Sequence, residues 1–515
     1  MSQISVNNLT FCYEGSFDNI FEDTTFSIDT NWKLGFIGRN GKGKSTFLNL
    51  LLGKYEYEGS ISASTAFDYF PYLITKRQRK MPTAEFLEEL KGGCELWRVL
   101  VELDELRQDP EILYRPLETL SPGERTKIML AVLFSGENDF LLIDEPTNHL
   151  DQESRENVKQ YLAAKKGFIL VSHDRELLDA CIDHVLVLNR QSIEVQSGNF
   201  SSWWENKSRK DQFAMGENEK HLKEIGKLRK SAARTGQWAD KSEQTKIGFY
   251  RKAAINEHER AIGSRAYIGA KTKKMQSRVK QMEKRINREI EEKEGLLVDL
   301  EQPVDLKLMP LEHHKRVLVN VEDYSIWYEK AEKPVFSGVT FSVEKGERIA
   351  LHGENGCGKS TLLNMILKKA GGEAEARDIR QKVEETGICL TASGLVISYV
   401  SQDTSMLKGG IAQFCINRRL DESLFCAILR QLDMDRVQFV KNMEEYSEGQ
   451  KKKILLAASL MTPAHLYVWD EPLNYIDVFS RMQIEKLLAE YQPTMLFVEH
   501  DARFREKVAT RVVEL

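Results

Sequence analysis

Gly38-Arg-Asn-Gly-Lys-Gly-Lys44-Ser45-Thr46 is a GxxxxGK[ST] stretch set between an apolar run, residues 34–37, and a helix-forming run, residues 45–52. Phosphate binding requires that placement, because the glycines let successive backbone N–H groups converge on phosphate oxygens and a helix N-terminus adds partial positive charge. The motif predicts Lys44 on the β- and γ-phosphates and Ser45 on Mg2+. It recurs as Gly353-Glu-Asn-Gly-Cys-Gly-Lys359-Ser360-Thr361, after apolar residues 349–351 and before residues 360–367. Gly38, Asn40, Gly41, Gly43, Lys44, Ser45 and Thr46 thus have counterparts in Gly353, Asn355, Gly356, Gly358, Lys359, Ser360 and Thr361. Cys357 inside the second loop reads as a spacer.

Three further markers repeat in the same order. Leu120-Ser121-Pro122-Gly123-Glu124 returns as Tyr446-Ser447-Glu448-Gly449-Gln450, and Phe140-Leu-Leu-Ile-Asp144-Glu145-Pro146 as Leu466-Tyr-Val-Trp-Asp470-Glu471-Pro472. Val171-Ser-His173-Asp174 returns as Val498-Glu-His500-Asp501. The offset is 315 at the phosphate loop and 326–327 afterwards, which predicts two homologous α/β domains with an extra segment at residues 371–395. A repeat this long is a duplicated domain rather than a solenoid unit. Asp144 and Asp470 end apolar strands and are expected to serve Mg2+. Glu145 and Glu471 follow them, where a carboxylate can orient or deprotonate an attacking water.

The 515 residues suffice for two to four domains, and a net charge of −5 with 41% apolar residues excludes a disordered chain. No apolar stretch approaches the roughly 20 residues of a membrane span, and the first ten residues lack the basic start and apolar run of a secretory signal. Seven scattered cysteines without a CxxC pair suit a reducing cytosol. The predicted location is therefore cytoplasmic.

Residues 205–294 differ from the rest, carrying 24 Lys+Arg against 14 Asp+Glu, a net of +10. No proline occurs between Pro146 and Pro303, so nothing breaks long helices there. Leu222, Ile225, Leu228 and Ala232 form one apolar stripe, and Met275, Val279, Met282 and Ile286 another, as expected of two helices packed antiparallel. The intervening residues 234–270 hold four glycines and four aromatics, which suits a bend. The expected organisation is a first domain over 1–203, a helical hairpin over 204–300 with its tip about 246–261, and a second domain over 301–515.

The motif Ser-x-Gly-Glu/Gln ahead of a helix and of the acidic pair resembles the signature of ABC ATPases, so the chain resembles two ABC ATPase domains in tandem. That resemblance implies ATP as ligand and a head-to-tail docking of the domains, an intramolecular dimer within a monomer. Ser121 and Gly123 would then close the site built on Lys359, and Ser447 and Gly449 the site built on Lys44. It further implies that His173 and His500 are switch histidines, that Tyr13 and Tyr328 stack on adenine, and that Gln402 helps hold Mg2+. The first copy reads Tyr69-Phe-Pro-Tyr72 where the second reads Tyr399-Val-Ser-Gln402. Tyrosine lacks the paired donor and acceptor of an amide, so the two sites are expected to differ in turnover.

Two ATPase domains without membrane helices, joined by a long basic hairpin, resemble the ABC-F family of ribosome-associated ATPases over essentially the whole chain. Trp469-Asp-Glu-Pro-Leu-Asn-Tyr-Ile-Asp477, Thr30-Asn-Trp-Lys-Leu34 and Gln237-Trp-Ala-Asp240 resemble its Vga/Lsa-type antibiotic-resistance branch. The short stretch after His500 and the lack of a large insertion in the first domain agree with Lsa-like members. The resemblance implies a 70S ribosome partner, entry into the exit-tRNA site, and approach to 23S rRNA at the peptidyl-transferase centre and to P-site tRNA. The implied outcome is protection from lincosamides, pleuromutilins and group A streptogramins, with no membrane involved. The hairpin's charge agrees with attraction to a phosphate backbone. Lys246, Phe249, Tyr250, Arg251 and Lys252 are the expected contacts. The alternatives are a housekeeping ABC-F translation factor and the ATPase subunit of an exporter with separate membrane subunits.

Overall fold

The computed structural model describes residues 2–13, 19–92, 95–136, 139–148, 150–189, 191–244, 273, 277, 280–282, 284–290, 307–328, 333–354, 356–371 and 383–515, with residues 232–244 described as backbone only. The chain divides into two compact units, Met1–Trp203 together with Pro303–Leu515, and Trp204–Gln302.

Each sequence copy in the first unit builds one mainly parallel sheet. In the first copy the order is Ala66–Phe70, Asp139–Asp144, Phe168–Val171, Lys33–Ile37, His184–Leu188 and Ile193–Ser197, only the last pairing being antiparallel. In the second copy it is Ile397–Val400, Leu466–Asp470, Met495–Val498, Arg348–His352 and Arg511–Glu514, all parallel. Phe168–Val171 and Leu466–Asp470 are buried at every position, as near-continuous apolar runs are in sheets covered on both faces. The order sets the phosphate-loop strand one place from the strand before the histidine and two from the strand ending in the acidic pair. All the motif residues therefore leave the sheet at the carboxyl ends of parallel strands, where open α/β sheets bind ligands. These α/β domains in tandem are the fold that the duplicated motifs predict.

A smaller antiparallel sheet accompanies each core, Phe21–Asp29, Gln3–Phe11 and Glu58–Ser62 in the first copy, and Phe336–Glu344, Val317–Tyr328 and Val383–Thr391 in the second. Val6 pairs with Ile61 as Val321 pairs with Cys389. Val383–Thr391 is thus the counterpart of Glu58–Ser62 rather than part of an insertion, and the remainder of the extra segment expected at residues 371–395 falls mainly on residues 372–382, outside the described residues.

The helix Phe200–Gln244 runs 45 residues, about 68 Å at 1.5 Å per residue. In the second unit Ile225 is buried with Ile286 and Ile290, and Leu228 packs against them. Two members of the expected stripes fall outside this core, Leu222 at 56% and Met282 at 51% exposure. Three-residue steps rotate the face by about 60° each, so Leu222 has swung off the line that Ile225 and Leu228 hold, while Ile290 continues the other stripe. The side chain of Ala232, and Met275, Val279 and the expected tip at 246–261, lie outside the described residues.

Candidate nucleotide sites

Gly43 and Gly358 cap the two phosphate-loop helices, Lys44–Leu51 and Lys359–Lys369, with φ of 113° and 97°. A Cβ on either would lie 2.5 Å from Ile20 or 2.6 Å from Val335, so both the left-handed turn and the close packing require glycine. Gly38, Gly41, Gly353 and Gly356 complete the loops, whereas Asn355 lies outside the described residues. Lys44 Nζ donates to the carbonyls of Gly38 (2.6 Å) and Arg39 (3.1 Å) and to Asn40 Oδ1 (3.3 Å). Lys359 Nζ donates likewise to Gly353 (2.8 Å) and Glu354 (2.7 Å). Each ammonium is thus held over its own loop by groups that a phosphate can replace. The Tyr13 phenol meets Thr46 Oγ1 at 2.7 Å, and the Tyr328 phenol meets Thr361 Oγ1 at 3.1 Å. Tyr13 is 41% exposed, which fits a platform beside the loop and not a core residue.

Ser45 Oγ donates to Asp144 Oδ2 across 3.3 Å, a hydroxyl and a carboxylate side by side. This all-oxygen pair fits a hard cation such as Mg2+. Its second donor is Tyr69, whose hydroxyl reaches Asp144 Oδ2 at 3.2 Å. Tyr72, which occupies the glutamine's place in the sequence, turns instead to Asp68 Oδ2 at 2.8 Å. In the second copy Gln402 Nε2 donates to Glu471 Oε2 at 2.9 Å, joined by Asn474 Nδ2 at 2.6 Å, while His500 Nε2 lies 3.3 Å from Glu471 Oε1. His173 Nε2 stands 3.4 Å from Glu145 Oε1. Both glutamates sit in the left-handed region, φ 51° and 48°, with their N–H groups donating to Val171 and Val498. Strain of this kind clusters where a side chain must be aimed.

The carboxylates differ electrically. Burial, aided by neighbouring Asp144, pushes Glu145 up to about 8. Burial pushes Glu471 upward too, but His500, Lys452 and Gln402 bring it below the usual carboxylate range. Burial also raises Asp144 and lowers Lys44, and it holds His173, with Lys44 and Arg481 nearby, well below the ordinary imidazole value.

Ser121 and Ser447 each open a helix with a reciprocal capping box, to Glu124 and Gln450 respectively, and both are exposed. The signature ends face the opposite copy. Asn40 Nδ2 donates to the Tyr475 carbonyl across 2.8 Å, and a Cβ on Gly449 would lie 2.7 Å from that same oxygen. Arg39 pairs with Asp433 at 3.2 Å and Lys42 with Asp435 at 3.4 Å. Asp477, fully buried, pairs with Lys453 at 3.5 Å and acts electrostatically on Lys44. On the other side a cleft of about 440 Å3 is lined by Lys359, Ser360, Thr361, Gln402, Glu471 and His500 of the second copy and by Pro122, Leu150 and Arg155 of the first. Sequence reasoning missed Tyr69, Tyr475, Asp477, Lys453 and the Arg39 and Lys42 pairs. Lys246, Phe249, Tyr250, Arg251 and Lys252 lie outside the described residues.

These geometries define an ATPase class, and the chain belongs to the ABC transporter family, whose model matches residues 21–148 and 336–474. It is an ATPase with two ATP-binding domains. Its similarity to ABC-F proteins runs along the whole chain. The ribosome protection protein VmlR of Bacillus subtilis (strain 168) is 28% identical over 503 residues, covering 96% of this chain and 84% of the relative. ABC transporter F family member 5 of Arabidopsis thaliana is 25% identical, covering all of this chain and 75% of that one. Among solved structures, the archaeal ribosome recycling factor aABCE1, in complex with the stalk protein aP1, shares the fold with a TM-score of 0.59 and 17% identity, over 98% of this chain and 87% of that one. Among the described residues no helix is long and apolar enough to cross a membrane.

Proposed function

We propose that the protein is a cytoplasmic, ATP-driven ribosome-binding ATPase of the ABC-F type. In this reading it enters the exit-tRNA site of the 70S ribosome and protects the peptidyl-transferase centre from lincosamides, pleuromutilins and group A streptogramins. The observation that carries the clamp is the seating of each phosphate loop against the other copy's signature region, at Asn40–Tyr475 on one side and at the cleft between Pro122 and Lys359 on the other. The ribosome as partner is supported by the similarity to VmlR along nearly the whole length, and by the net +10 of residues 205–294.

Lys44 and Lys359, with the loop N–H groups, bind the β- and γ-phosphates, and Tyr13 and Tyr328 take the adenine. Ser121 with Gly123, and Ser447 with Gly449, complete the opposite site from across the interface. ATP then touches both halves only when the domains are closed, so it selects the closed form. Mg2+ would be held by Ser45 and Asp144, and by Ser360, Gln402 and Asp470, where it neutralises phosphate charge when bound. Glu145 and Glu471 orient the attacking water and accept its proton, while His173 and His500 hold those carboxylates in place. Hydrolysis removes the bridge between the halves, and the clamp reopens and releases the ribosome. In this proposal the domains are 1–203 and 301–515, joined by the hairpin 204–300 that approaches 23S rRNA and P-site tRNA.

A second reading is a housekeeping ABC-F translation factor without drug protection, since relatives whose names carry no drug protection, such as the putative ATP-binding protein YdiF of Bacillus subtilis (strain 168), are nearly as similar, 26% identical over all of this chain. Expression in a drug-sensitive bacterium separates the two. Raised tolerance to the three drug classes is expected, and unchanged tolerance with ribosome binding intact would establish the second reading.

A further inference from the structure

Lys452 carries a role that neither motif nor family match accounts for. Its ammonium is buried, the residue being 2% exposed. Its Nζ donates to the carbonyls of Ser401 (2.9 Å), Glu471 (3.1 Å) and Asp470 (3.4 Å). An ammonium has three donors, and all three are spent on main-chain oxygens around the Lys359 site. Ser401 precedes Gln402, and the other two carbonyls belong to the acidic pair itself. Gln402, Asn474 and His500 hold the Glu471 carboxylate; Lys452 holds the backbone that carries it, at a residue whose φ of 48° few side chains adopt.

Lys452 stands on the helix Glu448–Met461, whose N-cap is Ser447, the end that faces the Lys44 site. The next residue, Lys453, points the other way. Its Nζ lies 3.5 Å from Asp477 and 3.3 Å from the Asp433 carbonyl, and Asp433 pairs with Arg39 in the first phosphate loop. Two adjacent lysines on one helix thus serve opposite nucleotide sites. The corresponding helix of the first copy, Pro122–Phe134, has Lys127 in register with Lys453 but Thr126 in register with Lys452. A threonine hydroxyl supplies one donor and no charge, so the arrangement exists in the second copy alone.

We propose that Lys452 is a positioning residue that sets Gln402 and Glu471 for hydrolysis at the Lys359 site and makes that setting depend on the signature helix engaged at the Lys44 site. The proposal rests on the reading of Glu471 as the group that acts on the attacking water. This link joins the Ser447 end of the helix to the Lys359 site, and the first copy, with Thr126 in place of the lysine, has no equivalent link from its Ser121 end to the Lys44 site.

The test uses the full chain with Glu145→Gln, so that turnover reports the Lys359 site, and expresses kcat per molecule of bound nucleotide so that unfolded protein does not count. Lys452→Thr, the residue of the first copy, is expected to lower kcat about tenfold or more while the KM for ATP stays within about twofold, since it disturbs the reacting group and not ground-state binding. Lys452→Arg keeps charge and donors in a different shape and is expected to give an intermediate kcat. A kcat for Lys452→Thr within about twofold of its parent, or kcat and ATP affinity falling together in both variants, would overturn the proposal. Absence of even one round of ATP cleavage per molecule in the Glu145→Gln parent, followed in a single-turnover experiment, would instead remove the assignment of Glu471, and this proposal with it.

Discussion

Arg175 and Glu485 form an ion pair buried on both sides, with side chains 3% and 6% exposed, between the helix that follows His173 and the helix Val478–Tyr491 of the other copy. Asp501 lies 3.7 Å from the same guanidinium, and Lys507 reaches Glu485 at 3.2 Å. Burial alone would lower the Arg175 guanidinium's proton affinity, yet these carboxylates raise it. The pair is not repeated by the duplication. Ala502 and Lys159 stand in register with Arg175 and Glu485, so the pair has no symmetric copy, and the second copy's switch helix joins the same cluster through Asp501 and Lys507 instead.

Breaking a buried pair by removing one partner costs about 3–5 kcal/mol, because the other charge stays buried. Lys507 remains for Glu485, so Arg175→Met is expected near the lower end of that range, read as a lower denaturant midpoint. Arg175→Met with Glu485→Met is expected to recover most of the loss; a double variant as unstable as the sum of the singles would contradict the pairing.

The two signature glycines are equivalent in sequence but not in surroundings. A Cβ on Gly449 meets the Tyr475 main-chain oxygen at 2.7 Å, whereas on Gly123 it meets Ser154 Oγ at 2.9 Å, the end of a side chain that can rotate. Overpacking against backbone costs about 1–3 kcal/mol. Gly449→Ala is therefore expected to impair ATP-driven closure more than Gly123→Ala. Closure is measurable by energy transfer between dyes on the two domains, and equal impairment would argue against the Gly449–Tyr475–Asn40 contact as the closing seam.

If Tyr13 is a stacking platform, its ring matters more than its hydroxyl. Aromatic–base stacking contributes about 1–3 kcal/mol. Tyr13→Ala is expected to raise the KM for ATP about tenfold, while Tyr13→Phe, which loses only the bond to Thr46, is expected to change it little. A larger effect of Tyr13→Phe would make the hydroxyl, and not the ring, the functional group.

Replacing residues 246–261 with a Gly/Ser loop is expected to abolish drug protection and spare ATPase activity. Ribosome affinity of the unaltered chain should fall linearly with chloride on logarithmic axes, with a slope set by the phosphates contacted. Drug tolerance that survives the replacement would place the working end elsewhere.

The loop conformations, the placing of the acidic pairs at strand ends and the capping serines were legible in the sequence because they are local: glycine where φ is positive, lysine at the start of the loop's helix, a capping residue ahead of the next one. The paired α/β domains were legible from apolar strands and motifs that recur in one order, at offsets of 315 and then 326–327. Much of what escaped notice pairs residues hundreds of positions apart. Nothing in the sequence distinguishes the buried Arg175 and Glu485 from solvated charges, and Asn40 meets Tyr475 through a backbone oxygen that carries no sequence signal. Tyr69 was passed over because Tyr72 occupies the glutamine's place, yet the strand Ala66–Phe70 aims Tyr69 at Asp144. Lys452 did leave a trace, since it faces Thr126 when the copies are superposed. The hairpin stripes were read one residue too far along the helix at Leu222, where three-residue steps had already turned the face to solvent.

The central claim, that ATP closes a clamp which then holds the ribosome, is tested most directly by the full chain with Glu145→Gln and Glu471→Gln. With ATP and magnesium the variant should co-sediment with 70S ribosomes, and without nucleotide it should stay in the supernatant. Recovery in the ribosome-free fraction under both conditions would contradict the account.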